Sequence, residues 1–349
     1  MKKIKVGIVG CGAISQLNVP GYLENSNCEI ISLCDTQHTR AESRSQQWGI
    51  SPNIYTNFDE FISDKEMDAI EILTPTFLHS EQIVKSLNQN KHVSCQKPLC
   101  TTLDEAEKIK TTLNESKSKF RITENYLYYP PIIKAKQLID SGAIGEPNMI
   151  RIRHLRGKSS NSYRLEDDTN VWRRDSNKNP GGGLYDGGWH HYATAVHLAG
   201  EISKISAFVS KNEDFIDETP SSTIFEVKNQ KCLVSIDYAS SPEMYLRSKY
   251  YSVDEFFEII GSEGTIWITR CTGEMLDLPP LMIFNGDKST HYQIDSDWIS
   301  GFKGAAHAFI ESINNDSPID MNIDFSTHVL KIALGVYESS NTLKTVTIS

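Results

Sequence analysis

Ile4-Lys5-Val6-Gly7-Ile8-Val9-Gly10-Cys11-Gly12-Ala13-Ile14-Ser15 decides the fold. The apolar run Ile4 to Val9 reads as a strand, Gly10 and Gly12 as a tight turn, and the residues after them as the start of a helix. Gly10 lets the chain leave the strand end sharply, and Gly12 removes a side chain that would obstruct a pyrophosphate. The helix start aims backbone N–H groups and its positive dipole end at the anion. Ser15 stands where a third glycine is usual. On its own this is also an ordinary strand-to-helix turn. The nucleotide reading gains from Asp35, which follows a second apolar strand, Glu29 to Cys34, where an acid can hold a ribose 2′-hydroxyl.

The same rhythm continues. Strands at 3–9, 29–34, 68–73, 91–95 and 119–124, with a short one near Ile54 and Tyr55, alternate with amphipathic stretches near 13–25, 37–48, 77–89 and 103–116. This alternation predicts a doubly wound parallel sheet with helices on both faces and a ligand crevice at the carboxyl ends of its strands. Beyond 123–125 runs of strands take over: Asn148 to His154, Lys204 to Val209, Ser222 to Val227, Cys232 to Tyr238 and Phe256 to Ile260. They follow a helix from Pro130 to Ser141 and indicate a second, α+β domain on a largely antiparallel sheet. The expected domains are therefore 1–123 and 124–349.

The chain's 349 residues exceed the size of a single core, and 39% apolar content fills two. No apolar run reaches the ~18 residues that span a bilayer, and Met1-Lys2-Lys3 passes straight into a strand, so a cytoplasmic location away from membranes is expected. Seven scattered cysteines argue against a disulfide framework and a structural zinc site, and a net charge of −10 argues against nucleic acid as a partner.

Residues just after strands merit most attention. Thr74-Pro75-Thr76 with His79 follows one strand, and Gln96-Lys97-Pro98 the next. Thr76 reads as a helix cap, Thr102 with Glu105 as a capping box, and His79 as a loop or helix-surface histidine. Lys97, at a strand end and before a proline, is placed to hydrogen-bond a substrate oxygen and stabilise negative charge on it. A solvated surface lysine is the plainer alternative. In the second half, the run Gly181 to Gly188 leads into a helical pattern, Trp189 to Leu198, closed by Gly200. Asp186 and His190, four apart, would share a helix face, the carboxylate orienting an imidazole that acts as general base on an alcohol. A capping Asp and a packed His explain the spacing equally well. His191 and His197 read as structural, and no third residue completes a metal site.

These motifs, with Gly142-Ala143-Ile144-Gly145, Gly261-Ser262-Glu263-Gly264 and the closing segment from Phe309 to Ile348, stand in the order of the Gfo/Idh/MocA oxidoreductases, which the chain resembles from end to end. The resemblance implies an N-terminal Rossmann domain, a C-terminal domain with an open-faced sheet that makes oligomer contacts, and NAD(P)-linked oxidation or reduction of a sugar or cyclitol. It maps catalytic roles onto Lys97, Asp186 and His190. Expected cofactor contacts are Gly10, Gly12, Ala13, Ile14, Asp35, Arg40, Thr74, Pro75, His79, Gln96 and Lys97. NAD is favoured by Asp35, with NADP the second candidate through Arg40. Specificity is expected from 151–174, where Arg151, Arg153, Arg156, Tyr163, Arg164, Trp172 and Arg173 gather. Substrate contacts are expected from Lys97, Asn125, Tyr126, Arg153, Tyr163, Trp172, Arg173, Asp186 and His190. Two departures stand out: Gln96 replaces the usual Glu of Glu-Lys-Pro, and Ala193 stands where an Asp often follows the histidine.

Three classes of function stay open on the sequence: a redox enzyme, a glycosidase or lyase using tightly held NAD for transient oxidation, and a nucleotide-sensing protein without turnover. The strands of the second half outnumber the helices available to cover them, which predicts a homodimer or homotetramer through an open sheet face.

Overall fold

The computed structural model describes residues 3–158 and 171–348. Tyr163 and Arg164 lie outside the described residues. The chain divides into two compact units, Met1–Asn125 with Leu165–Pro180 and Phe302–Leu330, and Tyr126–Arg164 with Gly181–Gly301 and Lys331–Ser349.

The first unit is built on β1 (Ile4–Val9), β2 (Cys28–Cys34), β3 (Asn53–Tyr55), β4 (Ala69–Ile72), β5 (His92–Gln96) and β6 (Phe120–Thr123), all parallel in the order β3-β2-β1-β4-β5-β6. Parallel neighbours need crossovers, and α1 (Ser15–Leu23), α2 (His38–Trp48), α3 (Phe58–Ile62), α4 (His79–Asn88) and α5 (Leu103–Asn114) supply them. Val6, Ile8, Ile70, Ile72, Val93 and Ile122 are wholly buried, as strands covered on both faces require. Gly10 has φ +91°, and a Cβ there would lie 2.7 Å from the Leu73 carbonyl, so the turn after β1 admits only glycine. The capping box at α5 forms as the sequence indicates. Thr76 does not cap α4: it opens a short 3-10 turn, Thr76–Leu78, and no side chain caps the helix behind it.

The second unit contains α6 (Pro130–Asp140), β7 (Pro147–Lys158), α7 (Gly183–Asp186) and α8 (Gly188–Ala199), then β8 (Ile202–Val209), β9 (Ser221–Val227) and β10 (Leu233–Tyr245). A two-residue strand β11 (Arg247–Ser248) precedes β12 (Val253–Gly261) and β13 (Gly264–Ile268), and β14 (Gly273–Glu274) pairs back to β11. β15 (Leu281–Asn285), β16 (Lys288–Tyr292) and β17 (Val346–Thr347) complete a nine-stranded sheet, β16-β15-β13-β12-β7-β10-β9-β8-β17, antiparallel except for β7 with β10. Side chains alternate along it. Ile150, Ile152, Val234, Ile236, Phe257 and Ile259 are buried on one face, while Phe208, Ile224, Leu233 and Phe284 are exposed on the other.

Two helices close the chain, α9 (Ile299–Asn314) and α10 (Ile323–Thr342). Ala306, Phe309 and Ile310 of α9 join the first unit's core, and Gly21 of α1 permits the approach: a Cβ there would sit 2.7 Å from that of Ala306. No described helix is long and apolar enough to cross a membrane.

Candidate active site

At the glycine turn, Asp35 ties the end of β2 to the loop after β1. Its Oδ2 accepts from the Cys11 N–H at 2.9 Å, and its Oδ1 from the Gln37 N–H at 2.9 Å, with Arg40 Nη1 at 3.5 Å. Ser15 replaces the third glycine without loss of packing, because its hydroxyl turns back to donate to the Gly12 carbonyl at 2.6 Å. No side chain caps α1 at Ile14 and no acid occupies its first turn, so nothing in that turn competes with a bound anion. These residues fit a dinucleotide. Asn125, after β6, has a buried Nδ2 with no hydrogen-bond partner among the described residues, a donor that a bound group would satisfy.

Lys97 follows β5 and is half-buried. Its N–H donates to Gln96 Oε1 at 2.9 Å, and Gln96 Nε2 reaches Asn18 Oδ1 of α1 at 3.5 Å. The amide thus makes through its carbonyl the contact that a carboxylate would make, and Asn18 takes the amide's extra donor. His79 corrects its reading as a surface histidine. It is wholly buried, and its ring lies between the Pro98 carbonyl at 2.8 Å (Nδ1) and the Thr74 carbonyl at 2.9 Å (Nε2). Two carbonyl acceptors favour a charged ring, but burial outweighs them and holds its pKa below the usual histidine value. Both ring nitrogens are committed to the protein, so His79 pins the loops after β4 and β5 together and is not offered to a cofactor. Thr74 Oγ1 is itself tied to Gln82 at 2.5 Å.

Trp172 and Arg173 fall in the same unit as Lys97. The Trp172 ring lies 6.2 Å from Phe77, in the 3-10 turn after β4, and the Arg173 guanidinium stacks 4.5 Å over Trp172. Arg153 belongs to the second unit. Its position in β7 puts it on the sheet face opposite His154, where it pairs with the buried Asp254 and lies 5.3 Å over Phe256.

In the second unit the glycine run serves close packing. A Cβ on Gly181 would lie 2.4 Å from the Tyr337 ring, and one on Gly182 2.4 Å from the Phe215 carbonyl. A residue missed by the sequence reading explains the helix start: Glu218, nearly buried, accepts from the N–H groups of Gly182 at 3.2 Å and Leu184 at 2.7 Å and from the Tyr337 hydroxyl at 2.8 Å. Its signal is faint, being a lone acid 36 residues downstream of the glycines. Gly187 has helical φ and ψ, so Asp186 at the end of α7 and His190 in α8 keep the one-turn spacing the sequence implies. Both are half-exposed.

The His190 ring stacks on Tyr126, centroids 4.4 Å apart and planes 20° apart. Tyr126 is itself buried, and its hydroxyl donates to Glu255 Oε1 at 2.7 Å. Glu255 also receives His191 Nε2 at 2.9 Å, while His191 Nδ1 bonds the Tyr238 hydroxyl. Tyr238, His154 and Glu255 are cross-strand partners in β10, β7 and β12. Burial would raise the Glu255 pKa, but the hydrogen bonds and charges of His154 and His191 outweigh it and hold the carboxyl well below its usual range. The ligating atoms of His154, His191 and Glu255 lie within 4.8 Å of one another. All seven cysteines are buried and outside any disulfide, and burial raises their pKa values, Cys11 and Cys34 to about 12, which disfavours a thiolate at neutral pH.

Residues 4–124 match the model of an oxidoreductase family with an NAD-binding Rossmann fold, and residues 132–267 that of the GFO/IDH/MocA C-terminal domain. The chain belongs to the GFO/IDH/MocA family. It is an oxidoreductase whose cofactor is NAD. Among relatives of this GFO/IDH/MocA protein, an uncharacterized Saccharomyces cerevisiae protein is 27% identical over 77% of this chain and 74% of its own length. Inositol 2-dehydrogenase of Salmonella typhimurium is 29% identical over 46% of this chain and 48% of that enzyme, so the match spans about half of it. An oxidoreductase structure from Thermotoga maritima has a TM-score of 0.81 and 25% identity, covering 99% of this chain and 98% of that one.

Proposed function

We propose that this GFO/IDH/MocA protein transfers hydride between NAD and a hydroxyl-bearing carbon of a sugar or cyclitol. The observation that carries the reading is a half-exposed imidazole, His190, backed by the buried Tyr126 and one helical turn from Asp186, in a chain whose Lys97 sits on a pinned loop after β5. His190 Nε2 or Nδ1 accepts the hydroxyl proton, and Asp186 favours the imidazolium that forms. The Lys97 ammonium donates a hydrogen bond to the same oxygen as its negative charge grows. Bound NAD supplies the hydride acceptor for the carbon. In reverse, the same groups return a proton to a reduced carbonyl. Gly10, Gly12, Ala13 and Ile14 hold the pyrophosphate, Asp35 and Arg40 the adenosine ribose, and Thr74, Pro75, Gln96 and Lys97 the far end of the cofactor. Asn125, Trp172 and Arg173 contact substrate. Relatives named inositol 2-dehydrogenase and glucose-6-phosphate 3-dehydrogenase support the substrate class.

Incubation with NAD and a panel of cyclitols, sugars and sugar phosphates tests the reading, which requires net NADH formation matched to oxidised product. Product without net cofactor change points to the glycosidase or lyase alternative, and binding without conversion to a sensor. The open face carrying Phe208, Ile224, Leu233 and Phe284 supports a homodimer or homotetramer. Light scattering that finds a monomer at about micromolar concentration rejects that assembly.

A further inference from the structure

We propose that Glu255 is a positioning residue, acting through Tyr126 to hold the imidazole of His190. This rests on the reading of His190 as the base. The side chains come from three distant parts of the sequence: Tyr126 from the turn before α6, His190 and His191 from α8, and Glu255 from the inner face of β12. Glu255 is 2% exposed on the inner face of the sheet, beside its cross-strand neighbours His154 and Tyr238 and next to the apolar Ile150, Ile152, Phe257 and Ile259. An apolar residue of similar volume would serve folding as well or better than a buried charge. The carboxylate is nonetheless fully engaged. Tyr126 O–H and His191 N–H both donate to Oε1, and Thr272 Oγ1 stands 3.3 Å from Oε2. The Tyr126 hydroxyl thus has a buried carboxylate oxygen as acceptor, at 2.7 Å, and that carboxylate is itself held by His191 at 2.9 Å. With its hydroxyl anchored there, Tyr126 keeps its ring against the His190 imidazole, centroids 4.4 Å apart.

The test uses full-length protein carrying ¹³C-labelled histidine rings and two variants, Glu255→Gln and Tyr126→Phe, each isosteric. Both should shift the His190 ring resonance, assigned through His190→Asn, while the His79 resonance in the other unit stays in place. Both should lower kcat about 10- to 100-fold, the penalty of a misplaced catalytic group, with the Kd for NAD unchanged within about twofold. If Glu255→Gln does not fold, Tyr126→Phe decides alone. A His190 resonance unmoved in folded variant overturns the proposal, as does unchanged kcat. So does stoichiometric metal at His154, His191 and Glu255 in the purified protein, because it would replace these hydrogen bonds. Wild-type protein that turns over no substrate defeats the functional reading, while the resonance shift still decides the positioning.

Discussion

Lys97 and His190 are held by contrasting means. Lys97 sits in a loop fixed largely through backbone atoms: its own N–H meets the neighbouring Gln96, and His79 joins the carbonyls of Thr74 and Pro98. His190 rests on side chains recruited across the chain, with Tyr126 and Glu255 separated by 129 positions and His191 and Glu255 by 64. A strand-end loop brings its geometry with its own short sequence. A ring on a helix must have its orientation supplied from elsewhere.

The largest effects should come from the two groups themselves. Lys97→Met and His190→Ala are each expected to lower kcat about 100- to 10,000-fold, His190→Ala leaving NAD binding nearly intact. Steady-state kinetics with a confirmed substrate and titration of NAD check this, and near-normal turnover by His190→Ala would remove it from the base role.

The supports should differ in a second way. His79→Asn is expected to destabilise the protein by about 1–3 kcal/mol near neutral pH through loss of a buried hydrogen bond. In the folded chain the His79 pKa lies below its ordinary value, so the unfolded chain binds a proton that the folded one refuses. Its stabilising contribution is complete above the usual histidine pKa of about 6.5 and is lost as pH falls through that value and below. His154, also buried with a lowered pKa, acts in the same direction in the other unit. Urea unfolding at about pH 8 and about pH 5.5 should show wild type losing stability on acidification and His79→Asn losing less. An identical loss in both would assign the slope elsewhere.

A smaller change is expected at the glycine turn. Asp35→Ala should reduce the preference for NAD over NADP by about 1–3 kcal/mol, since it removes an acceptor and a charge that repels a 2′-phosphate. Parallel titrations of both cofactors measure this, and tighter NADP binding by the unmodified protein would contradict the assignment.

The contrast also explains what could be read from the residues alone. Strands β1, β2, β4, β5 and β6 appear within one residue of their expected ends because continuous apolar runs bounded by glycine and polar loops are local signals. The parallel sheet follows from the alternation of strands with helices, and the mostly antiparallel one from the runs of strands that replace it. The pairing of Arg153 with Asp254 was not legible, because composition shows an arginine cluster but not which face of a strand each arginine occupies. His79, Glu218 and Glu255 were hidden for a related reason. Each is a polar residue whose burial depends on partners 19, 36 and 129 positions away, and no periodicity encodes such a pairing.

The most direct test of the claim that these differently supported groups serve one reaction is the double variant Lys97→Met/His190→Ala, compared with each single variant in single-turnover NADH formation. Groups acting on one oxygen in one transition state lose their effects together, so the double variant should be about as slow as the slower single variant. Losses that multiply would show that Lys97 and His190 act independently and would contradict the account.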